Sequence, residues 1–102
     1  MKLCICSGGN VRSVALARAF KEPAIAVGIN RCEPDKFKIL CQIADKIHIC
    51  CSLNYSERLL IDTFLCAGSE LIFHQEFMAG DRWGSPCHPE LVAICEKIAN
   101  GD

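Results

Sequence analysis

Apolar positions alternate between two rhythms along the chain. Short unbroken runs at Leu3–Cys6, Pro23–Gly28, Lys46–Cys50 and Glu70–His74 are bounded by turn residues or charges. That is the pattern of strands buried on both faces. Longer segments between them repeat at helical spacing. Val14–Phe20 is small and apolar, and Phe37, Leu40, Cys41 and Ala44 recur at i, i+3, i+4 and i+7. A third helix is expected from Tyr55 to about Leu65, and a fourth begins at Pro89, carries Leu91, Ile94, Cys95 and Ile98 as its stripe, and frays at Asn100-Gly101. Punctuation agrees. Glu33-Pro34-Asp35 sets a proline and acids at a helix start. Asn54 and Glu57 have capping-box spacing, and Gly68 marks a stop.

Four strands alternating with four helices through short connections predict an α/β fold: a parallel sheet covered on both faces, a three-layer sandwich with right-handed crossovers. At 102 residues the chain is read as one domain, 1–102. Ligands of such sheets sit beyond the carboxyl ends of the strands. Cys6 ends the first of these strands, so the turn after it lies on the edge where ligands are expected.

Composition narrows the partners. A net charge of −1 argues against nucleic acid, whose phosphate backbone calls for a basic surface. No apolar run approaches the roughly 18 residues of a membrane span, and the N-terminal apolar stretch breaks too early for a signal peptide. Nine cysteines would suggest a disulfide framework in a small secreted protein. The odd count and the placement of cysteines such as Cys41 and Cys95 at apolar helix positions favour buried, reduced thiols and a cytoplasmic protein. The close groupings, Cys4-x-Cys6, Cys50-Cys51 and Cys87-His88, lack structural zinc spacing, so neither metal nor cofactor is expected.

The segment Cys6-Ser7-Gly8-Gly9-Asn10-Val11-Arg12-Ser13 turns from a strand into a helix through two glycines. Such a turn lines up N–H groups with the positive end of a helix dipole and makes an anion site. Positive potential there favours thiolate at Cys6. Arg12 can grip two phosphate oxygens with its planar guanidinium, and Ser13 can donate its hydroxyl to the sulfur. A nucleophilic sulfur beneath a cradled tetrahedral oxyanion describes phosphoryl transfer through a cysteinyl-phosphate.

This C-x5-R-S loop, closing the first strand near the start of the chain, resembles that of the low-molecular-weight protein tyrosine phosphatases and their arsenate reductase relatives. The resemblance implies a phosphotyrosine protein phosphatase I-like sheet of order 2-1-3-4, with Cys6 as nucleophile, Arg12 as phosphate clamp and Ser13 as thiolate partner. Ser7, Gly8, Gly9, Asn10 and Val11 would line the phosphate. The family pattern C-x-G-N-x-x-R-S is shifted here, since Gly9 holds the asparagine position and Asn10 follows it. Asn10 would then brace the loop in a left-handed conformation. Val11 stands where some phosphatases carry a second loop cysteine.

Hydrolysis also asks for a proton donor to the leaving oxygen. The loop Ala79–Pro86 follows the fourth strand and returns to the same sheet edge as Cys6. Its Asp81-Arg82-Trp83 resembles the family's Asp-Pro-aromatic acid loop, with Arg in place of Pro. Asp81 is thus the expected general acid and Trp83 an expected wall of the substrate pocket. His88-Pro89-Glu90-Leu91 is similar to the end of a shorter phosphatase-like subgroup.

The expected activity is protein tyrosine phosphatase, acting on a phosphotyrosine protein or small phosphomonoester as a monomer or weak homodimer. Two alternatives share the loop: a thiol-dependent arsenate reductase, with Cys51 or Cys87 as resolving thiol, and a catalytically silent phosphate-binding module. His48 and Arg31 are read as a packed histidine and a solvated loop arginine.

Overall fold

A computed structural model describes residues 1–101; Asp102, the last residue of the expected domain, lies outside the described residues. The elements run β1 (Lys2–Cys6), α1 (Arg12–Ala19), β2 (Ala24–Gly28), α2 (Pro34–Ile43), β3 (Lys46–Ile49), α3 (Tyr55–Phe64), β4 (Glu70–Phe73) and α4 (Pro89–Ala99). All strand pairs are parallel in the order β2-β1-β3-β4, with Lys2 opposite Ala24 and Lys46, and Lys46 opposite Glu70. The expected three-layer sandwich is observed. Among the described residues no helix is long and apolar enough to cross a membrane.

Side-chain alternation divides the core. Leu3 and Ile5 of β1 and Ile47 and Ile49 of β3 point to one face, where Phe37 and Cys41 of α2 and Ile61 of α3 cover them. Phe37 and Phe64 meet there at 6.3 Å between ring centroids. Burying each such side chain contributes about 1.5–3 kcal/mol. Cys4 and Cys6 point to the other face, with Cys50 beyond β3, and are covered by Ala15 and Leu16 of α1 and Leu91 and Cys95 of α4. His48 points the same way, buried against Phe20 at 4.8 Å. Its Nδ1 shares a 2.8 Å hydrogen bond with His74 Nε2. All nine cysteines are free thiols.

Element ends follow local chemistry. The α3 capping box forms in full: Glu57 N–H donates to Asn54 Oδ1 at 2.8 Å, and Asn54 N–H to Glu57 Oε1 at 2.9 Å. Pro34 occupies the first turn of α2. α1 begins at Arg12, two residues before the expected start, because the last residues of the loop are themselves the first turn of the helix. A 3₁₀ turn at Gln75–Phe77, which the sequence pattern does not announce, follows β4.

Candidate active site

β1 delivers Cys6 to the carboxyl edge of the sheet, and the loop after it wraps back over the sulfur. Gly9 N–H donates to Cys6 Sγ at 3.1 Å, and Ser13 Oγ lies 3.0 Å from the same sulfur. Burial alone would push the Cys6 thiol up. Hydrogen bonds from the Ser13 hydroxyl and from the Ser13 and Gly9 amides, together with the Arg12 charge, outweigh it, and the net direction is down. The N-cap residue Val11 makes no side-chain cap to α1, and the Cys6 sulfur instead takes the first-turn amide of Ser13, setting the sulfur at the positive end of the helix.

Two glycines make the wrap possible. Gly9 has φ +72°, and a Cβ there would stand 2.4 Å from Gly28 N. A Cβ on Gly28 would meet the Gly8 carbonyl carbon at 2.3 Å. The loop thus lies backbone against backbone on the end of β2, fastened by Ile29 N–H to Cys6 O at 2.9 Å and Asn30 N–H to Ser7 O at 3.1 Å. Gly28, which opens a loop at the active edge and with Ala26-Val27 loosely matches the Ser-Ala-Gly that family members often carry there, thus shapes the site through this close approach. Asn10 does not take the left-handed role expected of it. Among the described residues only glycines have positive φ, and Gly9 adopts that conformation without the steric cost a Cβ imposes.

Arg12 is 7% exposed, and its Nη1 donates to the Phe77 carbonyl at 3.0 Å. The 3₁₀ turn therefore holds the guanidinium from behind. A cavity of about 160 Å³ opens above the sulfur, lined by Cys6, Gly8, Asn10, Val11, Arg12 and Asp81. It is smaller than the roughly 300–1,000 Å³ of typical small-molecule pockets, a size suited to one oxyanion group. Asp81, the carboxylate in that lining, is fixed by Trp83 N–H at 2.9 Å and Gly84 N–H at 3.1 Å, both on Oδ1.

Trp83 lies elsewhere than expected. It is buried in the core, edge-on to Phe77 at 6.0 Å and under the Arg82 guanidinium at 4.8 Å, and is not among the residues lining the cavity. Arg82 takes the expected proline's place and forms a 2.9 Å ion pair with Glu90. Of the two candidate resolving thiols, Cys51 belongs to the buried cluster that contains Cys6. Cys87 is exposed, with Arg18 Nη1 3.8 Å from its sulfur, in a separate cavity between α1 and α4. Arg31 is exposed. Among the described residues no three His, Cys, Asp or Glu side chains are grouped to hold a metal ion.

No family model, curated protein or solved structure matches this chain. The functional reading rests on the geometry of the loop and on its motif.

Proposed function

We propose that this protein is a phosphomonoester hydrolase of the low-molecular-weight tyrosine phosphatase type, working through a cysteinyl-phosphate. The observation that carries the reading is the sulfur of Cys6 under one small cavity, held by Gly9 N–H and Ser13 Oγ, with Arg12 and Asp81 on the same walls.

The phosphoryl group enters with its oxygens toward the loop amides and the Arg12 guanidinium, which gather its charge as the transition state forms. The Cys6 thiolate attacks phosphorus, and the bond to the leaving oxygen breaks. Asp81 gives that oxygen its proton. Water then attacks phosphorus while Asp81 takes a proton from it, and the sulfur departs as a thiolate stabilised by the Ser13 hydroxyl. Phosphate leaves. Phosphotyrosine is the favoured substrate class on the resemblance of the loop, and the reaction is assigned to the cytoplasm on the abundance of free thiols.

Para-nitrophenyl phosphate turnover tests this. Cys6→Ser should abolish turnover while inorganic phosphate still binds. Asp81→Asn should lower turnover by about 10²–10⁴-fold. Turnover undiminished in Cys6→Ser would overturn the mechanism, and phosphate binding with no turnover in the parent protein would leave a binding module. Reduction of arsenate with added thioredoxin, in place of phosphate ester hydrolysis, would assign the reductase chemistry instead.

A further inference from the structure

Cys6 and its loop lie where the strands end, and a second cavity, of about 310 Å³, lies on the same face where they begin. Parallel register builds it. Lys2 of β1 stands opposite Lys46 of β3, and two residues further on His48 stands opposite Ile72 of β4. Side chains two apart on a strand share a face. Lys46 and His48 therefore project together toward the layer of α1 and α4, where Phe20 and Ile98 complete the wall. None of these groups serves the chemistry at Cys6.

One polar atom of that wall is left over by the fold. His48 is 4% exposed. Its Nδ1 shares the 2.8 Å hydrogen bond with His74 Nε2, and the two rings lie within 6° of parallel. Its Nε2 is buried and has no hydrogen-bond partner among the described residues. Buried polar atoms are nearly always paired, because a bare one forfeits its hydration and gains nothing in return. The ring is held neutral by burial and by the His74, Lys2 and Lys46 charges. A neutral imidazole carries one N–H, and it sits on Nε2 whenever His74 supplies the proton of the bond between the two rings.

The surroundings select what could accept from that N–H. Two lysines line the cavity against one carboxylate, Glu22. Both are loosely held: Lys2 Nζ is 3.6 Å from Glu22 Oε1, and Lys46 Nζ is 4.0 Å from Glu70 Oε1. An anion is favoured over a cation. α1 and α4 both end beside the cavity, and the partial negative charge of helix carbonyl ends opposes a second negative charge on the ligand. Phe20, Ile72 and Ile98 favour an apolar body. The volume stands at the low end of the roughly 300–1,000 Å³ of small-molecule sites, enough for one ring or a short chain.

We propose that this cavity is a second ligand site, binding a small monocarboxylic acid with its carboxylate on His48 Nε2 and Lys46 and its apolar body against Phe20 and Ile98. Binding fixes the tautomer. The shared proton resides on His74 Nε2, His48 carries its own on Nε2, and both rings stay neutral. The site does not depend on the hydrolase reading.

Benzoate is the probe, with benzamide as its uncharged counterpart, and the full chain is titrated while imidazole nitrogen shifts are followed by NMR. Binding should saturate, and in the bound state His48 Nε2 should show the shift of a protonated nitrogen and Nδ1 that of a bare one. This readout comes from the unmutated protein, so it stands whether or not a His48 variant folds. His48→Phe should weaken benzoate at least about tenfold, the loss expected for a hydrogen bond to a charged group. Lys46→Met, at a half-exposed side chain, should weaken it about two- to fivefold. Benzamide should bind more weakly than benzoate. Inorganic phosphate should not compete, and Cys6→Ser should bind benzoate as the parent does. A response that never saturates, equal binding of benzamide, or a bound-state Nε2 without a proton would overturn the proposal. So would competition by phosphate, which would put the benzoate in the Cys6 loop. Saturable benzoate binding in a protein that hydrolyses no phosphate ester keeps this site and removes the hydrolase, whereas turnover without benzoate binding removes this site alone.

Discussion

The two faces of the sheet are made of different materials. One buries Leu3, Ile5, Val27, Phe37, Ile47, Ile49 and Ile61, with Cys41 as its one fully buried thiol. The other admits five cysteines, and Arg12, Ser13 and His48 are buried beyond it in the same layer. Apolar burial needs no partner to be favourable, whereas each buried polar group needs one or costs free energy. The first face therefore supplies stability independent of pH and redox state. The second holds groups whose charge can change, and its stability depends on solution conditions. Parallel strands with alternating side chains let both materials share one backbone.

Substitutions on the aliphatic face should test that division most severely. Phe37→Ala should cost about 3–5 kcal/mol in urea unfolding, yet leave the alkylation rate of Cys6 in the folded protein unchanged. A parallel change in Cys6 reactivity would show that the faces are coupled. Next in size is a pH effect confined to the cysteine face. Burial first, then the neighbouring His74, Lys2 and Lys46 charges, push the His48 pKa down to about 4, below the roughly 6.5 of an unfolded histidine. The unfolded chain binds more protons between those values. The contribution of neutral His48 is thus complete above about pH 6.5 and is lost as pH falls toward 4, a change on the order of 3 kcal/mol. His74, lowered by burial as well, acts in the same direction. Urea midpoints measured from pH 7.5 to 4.5 in the parent and in His48→Phe should diverge across that window, and parallel profiles would break the assignment. The smallest effect sharpens the comparison from the other side. Asn54→Ala, which removes the cap of α3, should cost about 1 kcal/mol with para-nitrophenyl phosphate turnover per folded molecule unmoved.

Periodicity in the sequence carries the architecture well. Runs such as Leu3–Cys6 and stripes such as Leu91, Ile94, Cys95 and Ile98 report local burial, and the order of elements leaves few ways to wind a parallel sheet. The Cys6–Ser13 loop is legible for the same reason, because its parts are contiguous. Contacts across long separations are not. The Arg12 bond to Phe77 joins residues 65 apart through a carbonyl that every residue possesses, so no residue type advertises it. The approach of Gly28 to Gly8 likewise depends on how β2 sits beside β1. The pairing of His48 with His74 requires the β3–β4 register, and the burial of Trp83 requires knowing that Phe77 lies beneath it.

The acceptor that orients Arg12 belongs to the main chain at position 77. Replacing the Phe77 side chain therefore cannot delete the oxygen; it can only shift the path of the turn that carries it. Mutational drift at that position would tilt the guanidinium by degrees without disconnecting it. The Arg12 side chain is tied to the chain's course after β4, and insertions or deletions between Phe73 and Phe77 threaten that bond more than any single change of residue.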